Sequence, residues 1–447
     1  MKKFLVLFFL IIFSAFEAQA YDLVLPKSRQ TIVKSEYIFF VGNAKKNETI
    51  KINDKNVYIA PNGAFAHSVK LKAGENRILV KSNYQSKLYK FYKSEKDSKT
   101  VHYFKELPEE IYLVAKDNTP LRSTPVDFGI NRISHLFANT YIIIDGEEGG
   151  FYRVRLAKDK YAWIDKSAVV KSSVEQIEPK FIDTNCKAYK NGHNHVIKFS
   201  ENLPYTIDET DTEIVFKIYN PFVNGNDIYT INVAKTEKYS YKINLKNGEY
   251  TLKVNYLIPN KENPLKDLTF LIDAGHGGHE NGAIGCFGEK EKNINLEIAT
   301  ELKKLLAEQG AYTVMTRECD AYVSLNDRIK LAQEYAAHIF ISIHLNSIGD
   351  IDMNIHKHRG VGVFYYNLNS RDLANSVEKT LANSLNLKKD GVHRASFAVI
   401  RPTDYIGILV EAAYMTNPLD SMIYRADDFA QNAAKGILEG IINYLSE

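Results

Sequence analysis

The sequence predicts a multidomain protein in which N-terminal all-β modules are followed by an α/β domain with a mostly parallel sheet covered by helices. Three observations predict it. A chain of 447 residues is long for a single hydrophobic core, so several domains are expected. From Tyr21 to Leu257, short runs rich in Val, Ile, Tyr and Phe alternate with Asn, Gly, Asp and Pro turns, which is the texture of β modules. From about Leu268 onward, apolar strand-like runs alternate with runs of helical spacing, and this alternation marks a sheet covered on both faces.

The N-terminus comes first. Lys2 and Lys3 precede the apolar run Phe4–Phe13, and small residues stand at Ala18 and Ala20. A charged start, a short apolar core and an A-x-A site form a secretion signal over 1–20. The run is too short to span a bilayer as a helix, and no later segment is apolar enough to do so. The protein is therefore expected to be exported to a periplasm, cell wall or extracellular space, with no integral membrane segment after cleavage behind Ala20.

Residues 21–100 follow as a β-sandwich. Turn signals at Asn53-Asp54, Pro61-Asn62-Gly63 and Ala73-Gly74 separate the runs Val57–Ala60, Phe65–Leu71 and Arg77–Val80. This module resembles the immunoglobulin-like modules attached to exported bacterial enzymes. Residues 110–171 carry five short strands ending in FYRVRL, a turn at Lys158-Asp159-Lys160, and YAWIDKSAV. That end resembles a bacterial SH3-type barrel, a class that often binds cell-wall peptides. Its tryptophan, Trp163, is expected in the barrel core rather than on a ligand platform. Residues 174–257 form a third β-rich module, with Asn247-Gly248 as a hairpin signal. Residues 258–267, with Pro259 and Pro264 and mixed charge, read as the linker.

In the last domain, 268–447, LTFLID is a buried strand and Ile294, Ile298, Leu302 and Leu305 keep helical spacing. Tyr312–Met315 is a short strand. Ser324 opens an S-x-x-D capping box before a helix carrying Leu325, Ile329 and Ala332. HIFISIH, VGVFYY and IGILVEAAY are further strands; Leu373–Leu385 and the row Phe429, Ala433, Ile437, Ile441 are further helices.

Composition narrows the function. Hydrophobic content is 45% and charged content 25%, ordinary for a folded protein, and the formal charge of +3 comes without any basic block. A nucleic-acid partner is therefore not expected. Cys186, Cys286 and Cys319 are too few and odd in number for a disulfide framework, and are read as free thiols or small apolar residues.

The stretch LIDAGHGGHENGAIG, Leu271–Gly285, is the point of chemical interest. A dinucleotide fingerprint would need a third glycine where Glu280 stands, and a phosphate loop would need a closing Gly-Lys-Ser/Thr. Export also counts against a nucleotide. The alternative is metal. His276 follows LTFLIDAG, His344 follows IFISI, Glu411 follows IGILV, and Glu291 opens a helix. If these strands are parallel, all four face one rim. Two imidazoles and a carboxylate with an open position form the ligand set of a hydrolytic zinc site. Spacing alone leaves a plainer account open, in which the histidines cap strands, Glu291 favours a helix N-terminus and Glu411 is a buried, paired acid. His279, Glu280, Glu289, His356, His358 and His393 are neighbouring candidates, and Glu289 is the main competitor of Glu291.

The order of motifs goes further. DAGHGG, NGAIG, EKxxNL, TRxxD, LxxR, SIHLNS and LVEAAYMTN, over about Leu268–Tyr444, together resemble the zinc-dependent N-acetylmuramoyl-L-alanine amidases of the amidase-3 type. The resemblance implies one catalytic Zn²⁺ bound by His276, Glu291 and His344, with Glu411 as the catalytic acid and supporting roles for Asp273 and Arg317. It implies hydrolysis of the amide joining the lactyl group of N-acetylmuramic acid to L-alanine in peptidoglycan. Rival readings are a zinc peptidase cutting within the stem peptide and a non-catalytic wall-binding regulator. A protein activator is a further partner to be expected. The segment between His344 and Val361 is short, whereas relatives that silence themselves with an inserted helix have more chain there, so the resemblance implies no autoinhibition of that type.

Overall fold

The computed structural model describes residues 20–94, 102–223, 227–235, 237–348 and 357–447. The signal segment before Ala20, His356 and much of the segment between His344 and Val361 lie outside the described residues. Among the described residues, no helix is long and apolar enough to cross a membrane.

The first β region has two sheets. One pairs Asp22–Leu25, Tyr37–Asn43 and Ala64–Lys70; the other runs through Gln30–Val33, Ser86–Lys93, Gly74–Ser82, Ile50–Ile52 and Lys55–Asn56. Alternation decides the packing. Inward residues such as Ile50, Ile52, Ile78, Val80, Tyr89 and Phe91 share one core with Phe40 and Phe65, while the residues between them face solvent.

Next comes a seven-stranded antiparallel sheet, in the order Arg132–Leu136, Thr119–Arg122, Lys160–Asp165, Phe151–Ala157, Tyr141–Glu148, Lys105–Val114, Val169–Lys171. Trp163 is half-buried there, edge-on to Phe104 with ring centroids 6.1 Å apart. A four-stranded sheet (Phe181–Tyr189, Gly192–Phe199, Glu249–Leu257, Lys238–Lys246) and a three-stranded one (Tyr205–Glu209, Glu213–Asn220, Asp227–Ala234) follow. The sequence suggests separate modules on either side of residue 172, yet one apolar core runs continuously from Val114 to Val254. Tyr205 Oη donates to the His135 carbonyl at 2.6 Å across that boundary, and Lys160 Nζ donates to Tyr219 Oη at 2.6 Å.

The last domain is a six-stranded sheet in the order Tyr312–Met315, Thr269–Ala274, Ile339–Asn346, Ile406–Tyr414, Val361–Tyr365, Lys389–Arg394. The first four strands run parallel; the last two are parallel to each other but antiparallel to Ile406–Tyr414. Helices α1 (Glu291–Glu308), α2 (Leu325–Glu334), α3 (Arg371–Ser384), α4 (Ser421–Tyr424) and α5 (Phe429–Ser446) complete it. The central strands are apolar on both faces because helices cover both: α1, α3 and α5 share one core with the inward row Phe270, Ile272, Ile341, Ile343, Ile408 and Val410, while Leu271, Phe340 and Leu409 pack with Ala332 of α2 on the other side. Within the expected linker, Leu265 is buried in the first of these cores, so the segment is docked.

Candidate metal centre

Three strand or helix ends converge at one rim. His276 lies just beyond Thr269–Ala274, His344 near the end of Ile339–Asn346, and Glu291 in the first turn of α1. The α1 start explains the last placement. Its cap residue Lys290 makes no side-chain cap, so the turn ahead serves instead: the Glu291 N–H donates to the Ala283 carbonyl at 3.0 Å and the Lys292 N–H to the Asn281 carbonyl at 3.2 Å. A carboxylate in this first turn is also favoured by the helix dipole.

Glu291 spans the two imidazoles. Its Oε1 lies 2.9 Å from His344 Nδ1 and its Oε2 3.1 Å from His276 Nε2. The Leu345 N–H (3.2 Å) and Asn295 Nδ2 (3.3 Å) donate to Oε1, and the Ala283 N–H (2.7 Å) donates to Oε2. Burial alone would raise the Glu291 pKa, but hydrogen bonds and charge from the two histidines outweigh it and hold the carboxyl well below its ordinary range. One donor atom from each of the three residues lies within 4.8 Å of the others. Nitrogen and carboxylate oxygen donors without thiolate suit a catalytic divalent ion such as zinc, so the residues fit a metal.

Glu411 stands on the adjacent strand directly opposite His344 in the register. Its Oε2 is buried without a hydrogen-bond partner among the described residues. Burial, and then the nearby Glu291 charge, push its pKa well above the ordinary carboxylate value. A buried acid with an unused oxygen beside a metal-type donor set is equipped to hold and pass a proton.

The backbone is shaped around these groups. His276 itself has φ +60°, a left-handed conformation costly for a residue with a side chain and often found at functional sites. A Cβ on Gly275 would coincide with the His344 ring, and one on Gly282 would collide with Glu291 Oε2. Both glycines are needed for close approach.

Motif residues around the turn act as its frame. Asp273, 1% exposed, accepts from Thr316 Oγ1 (2.8 Å), Ser342 Oγ (2.7 Å) and Arg328 Nη1. Arg317 donates to the carbonyls of Ala274 (2.9 Å), Gly275 (2.9 Å) and Lys292 (2.8 Å), joining the turn to α1. Lys292 Nζ reaches the Gly278 carbonyl (2.7 Å) and Asp320 (2.6 Å). Arg328, given no role from sequence, also holds the carbonyls of Ala274 (2.9 Å) and His276 (2.8 Å). Its position in LxxR was the available signal.

The competing groups are engaged elsewhere. Glu289 pairs with Arg425 at 2.7 Å and caps the Phe287 N–H at 3.0 Å. His279 packs on Tyr322, with centroids 4.3 Å apart, and His393 packs on Phe364. All three cysteines are free, and burial pushes the Cys286 thiol up to about 12. Cys286 and Phe287 instead form a small core with Val41, Ala60, Ala64 and Ala66, which docks the first sandwich against the loop leading to Glu291. Asn43 Nδ2 donates to the Cys286 carbonyl (3.2 Å) and Asn62 Nδ2 to Ser421 Oγ (3.0 Å) across the same junction.

The carboxyl ends of parallel strands are where α/β sheets place their ligand sites, and the donors gathered at this rim are of the kind a catalytic metal takes. The family described as N-acetylmuramoyl-L-alanine amidase matches residues 270–443. The chain is 33% identical over 188 residues to the uncharacterized protein YqiI of Bacillus subtilis, covering 41% of this chain and 88% of that protein. It is 34% identical over 186 residues to the probable cell wall amidase LytH of Staphylococcus epidermidis, covering 41% of this chain and 60% of the relative's length. The solved amidase AmiC2 of Nostoc punctiforme aligns at 34% identity, with a TM-score of 0.38, over 40% of this chain and 98% of that one. The chain belongs to the N-acetylmuramoyl-L-alanine amidase family through its last domain.

Proposed function

We propose that this chain is an exported, zinc-dependent N-acetylmuramoyl-L-alanine amidase acting on peptidoglycan. The observation that carries the reading is the convergence of His276, Glu291 and His344 beside the buried, unpartnered Oε2 of Glu411. Family membership and the cell-wall amidase named among its relatives support the substrate class.

In this reading the donors are His276 Nε2, His344 Nδ1 and the Glu291 carboxylate. Bound there, zinc supplies an acidified water and an electrophilic pull on the substrate carbonyl. In the metal-free protein burial, and then the Glu291 charge, oppose the ionisation of Glu411 and raise its pKa. With that charge offset by a metal held on the Glu291 carboxylate, ionised Glu411 would be favoured, and its Oε2 would then be placed to accept a proton from water. The water oxygen adds to the lactyl carbonyl carbon. Glu411 then delivers its proton to the L-alanine nitrogen as the carbon–nitrogen bond breaks, leaving a lactyl carboxylate and a free peptide amine. Asp273, Arg317 and Arg328 touch no reacting atom; they fix the backbone that carries His276. The sandwich, the SH3-like region and the third β region orient this site on the wall, and a protein activator is a further partner class.

The test is a variant series scored for both zinc content and peptidoglycan turnover. Glu411→Ala keeps zinc and loses at least about a hundredfold in turnover, the scale of general acid–base catalysis. His276→Ala and His344→Ala lose both. Normal turnover by Glu411→Ala would sink the assigned role.

A further inference from the structure

A second cluster of metal-type donors lies far along the sequence from the first. In the four-stranded sheet, Phe181–Tyr189 is an edge strand, exposed along its whole length, and among the described residues it pairs only with Gly192–Phe199. Cys186 sits directly opposite His195 in that pairing, so the two side chains share a face. His193 is two residues away on the same strand and projects to the same side. That side is the one on which Ile197 and Phe199 enter the core, so the inward row changes from apolar to imidazole where the core ends.

The donor atoms already point at one another. His195 Nε2 lies 2.7 Å from His193 Nδ1 and 3.9 Å from Cys186 Sγ. His193 Nε2 lies 2.8 Å from Tyr256 Oη on the neighbouring strand. A ring nitrogen engaged with a phenol oxygen leaves its opposite nitrogen aimed inward, which is how an outer partner fixes the tautomer of a metal-binding histidine. One donor atom from each of Cys186, His193 and His195 falls within 4.8 Å of the others.

We propose that Cys186, His193 and His195 form a second metal site, for a thiophilic, imidazole-binding divalent ion of the zinc class. Thiolate and imidazole are the donor types zinc takes, a fourth position would be left for water, and soft sulfur disfavours magnesium or calcium. Tetrahedral coordination needs nitrogens about 3.3 Å apart and sulfur about 3.5 Å from nitrogen, using ordinary zinc bond lengths. The imidazole nitrogens must open by roughly half an ångström and Cys186 Sγ close on His195 Nε2 by somewhat less, while Cys186 Sγ starts within 4.8 Å of the His193 donor; side-chain rotation is the movement required. Filled, the site staples the exposed edge strand to its neighbour. It lies at the opposite edge of the sheet from Lys238–Lys246, the strand whose Tyr241 N–H donates to Thr403 of the last domain at 2.7 Å. Metal here therefore acts on the β region and not on the rim formed by His276 and His344.

The two sites differ in chemistry, so one titration separates them. The metal-free full chain is titrated with Co²⁺ as a spectroscopic substitute and then displaced with Zn²⁺. The expected result is two equivalents bound, one of them with a thiolate-to-cobalt charge-transfer band. Cys186→Ser loses that band and one equivalent while keeping the other; His195→Gln does the same. The double variant His276→Ala/His344→Ala keeps the band and loses the other equivalent. As a second readout on unaltered protein, zinc slows alkylation of Cys186 at least about tenfold, because the bound thiolate is no longer free to attack. A wild-type titration with no thiolate band, a band that survives Cys186→Ser, or alkylation of Cys186 unaffected by zinc overturns the proposal.

Discussion

Arg328→Ala removes a cation that is itself 3% exposed and serves four oxygens: Asp273 Oδ1 and the carbonyls of Ala274, His276 and Val323. Asp273 keeps only the Thr316 and Ser342 hydroxyls. Removing one partner of a buried ion pair costs about 3–5 kcal/mol, since the remaining charge stays out of water without compensation. The orphaned carbonyls belong to that same loss and are not added to it. Fluorescence is a poor assay because Trp163, the only tryptophan, sits in the seven-stranded sheet. Amide hydrogen exchange along Ile339–Asn346 reports the right domain. The expected opening free energy falls by about 3–5 kcal/mol, which speeds exchange there by roughly two to four orders of magnitude. Arg328→Lys keeps the charge but presents one ammonium in place of a fork, and falls between the two. A change below about 1 kcal/mol, with the zinc content of the last domain unaltered, would refute the framing role of Arg328.

Three other outcomes follow from the same geometry. Gly275→Ala drives a methyl against the His344 ring, so the proposed zinc binding at the rim is lost although none of the three proposed ligands is altered; metal content after dialysis checks it. His135 has its pKa lowered to about 4, by burial first and then by Arg132 and Arg122. A depressed histidine contributes stability that is complete above the unfolded value near 6.5 and is lost as pH falls toward 4, by at most about 3 kcal/mol. Urea denaturation followed by Trp163 fluorescence should show a smaller acid loss in His135→Asn than in wild type, and equal losses would remove His135 as the cause. Phe287→Asp puts a charge into the small core shared with Val41 and Ala64, and should expose the junction between sandwich and last domain to protease without changing zinc content.

How much was readable beforehand depended on the kind of signal. LTFLID, HIFISIH and IGILVEAAY stand out because helices bury both of their faces, leaving apolar runs with clear polar ends. The Ser324 capping box marks α2, and its hydroxyl accepts from the Asp327 N–H at 3.2 Å. Lys389–Arg394 escaped notice because KDGVHR is a polar edge strand with a glycine at φ +123° and no apolar alternation. The reversed direction of Val361–Tyr365 leaves no trace in composition, since a strand buried on both faces looks alike either way round. His276, Glu291 and His344 were readable as polar groups at or near element ends, and Glu411 as an acid inside an otherwise apolar strand, Ile406–Tyr414. The frame was not: Arg328 lies in the middle of an amphipathic helix, and only the folded chain shows it turned inward to Asp273. Cys186 and His195 face each other through strand register, which spacing along the chain does not reveal.

The central claim is the bond that is cut. The most direct measurement is mass spectrometry of the soluble products after zinc-loaded protein, from Tyr21 onward, digests purified peptidoglycan. The account predicts stem peptides with an unblocked L-alanine N-terminus and intact glycan strands bearing free lactyl carboxylates. Peptides cut internally, with the bond to the lactyl group left intact, would contradict it.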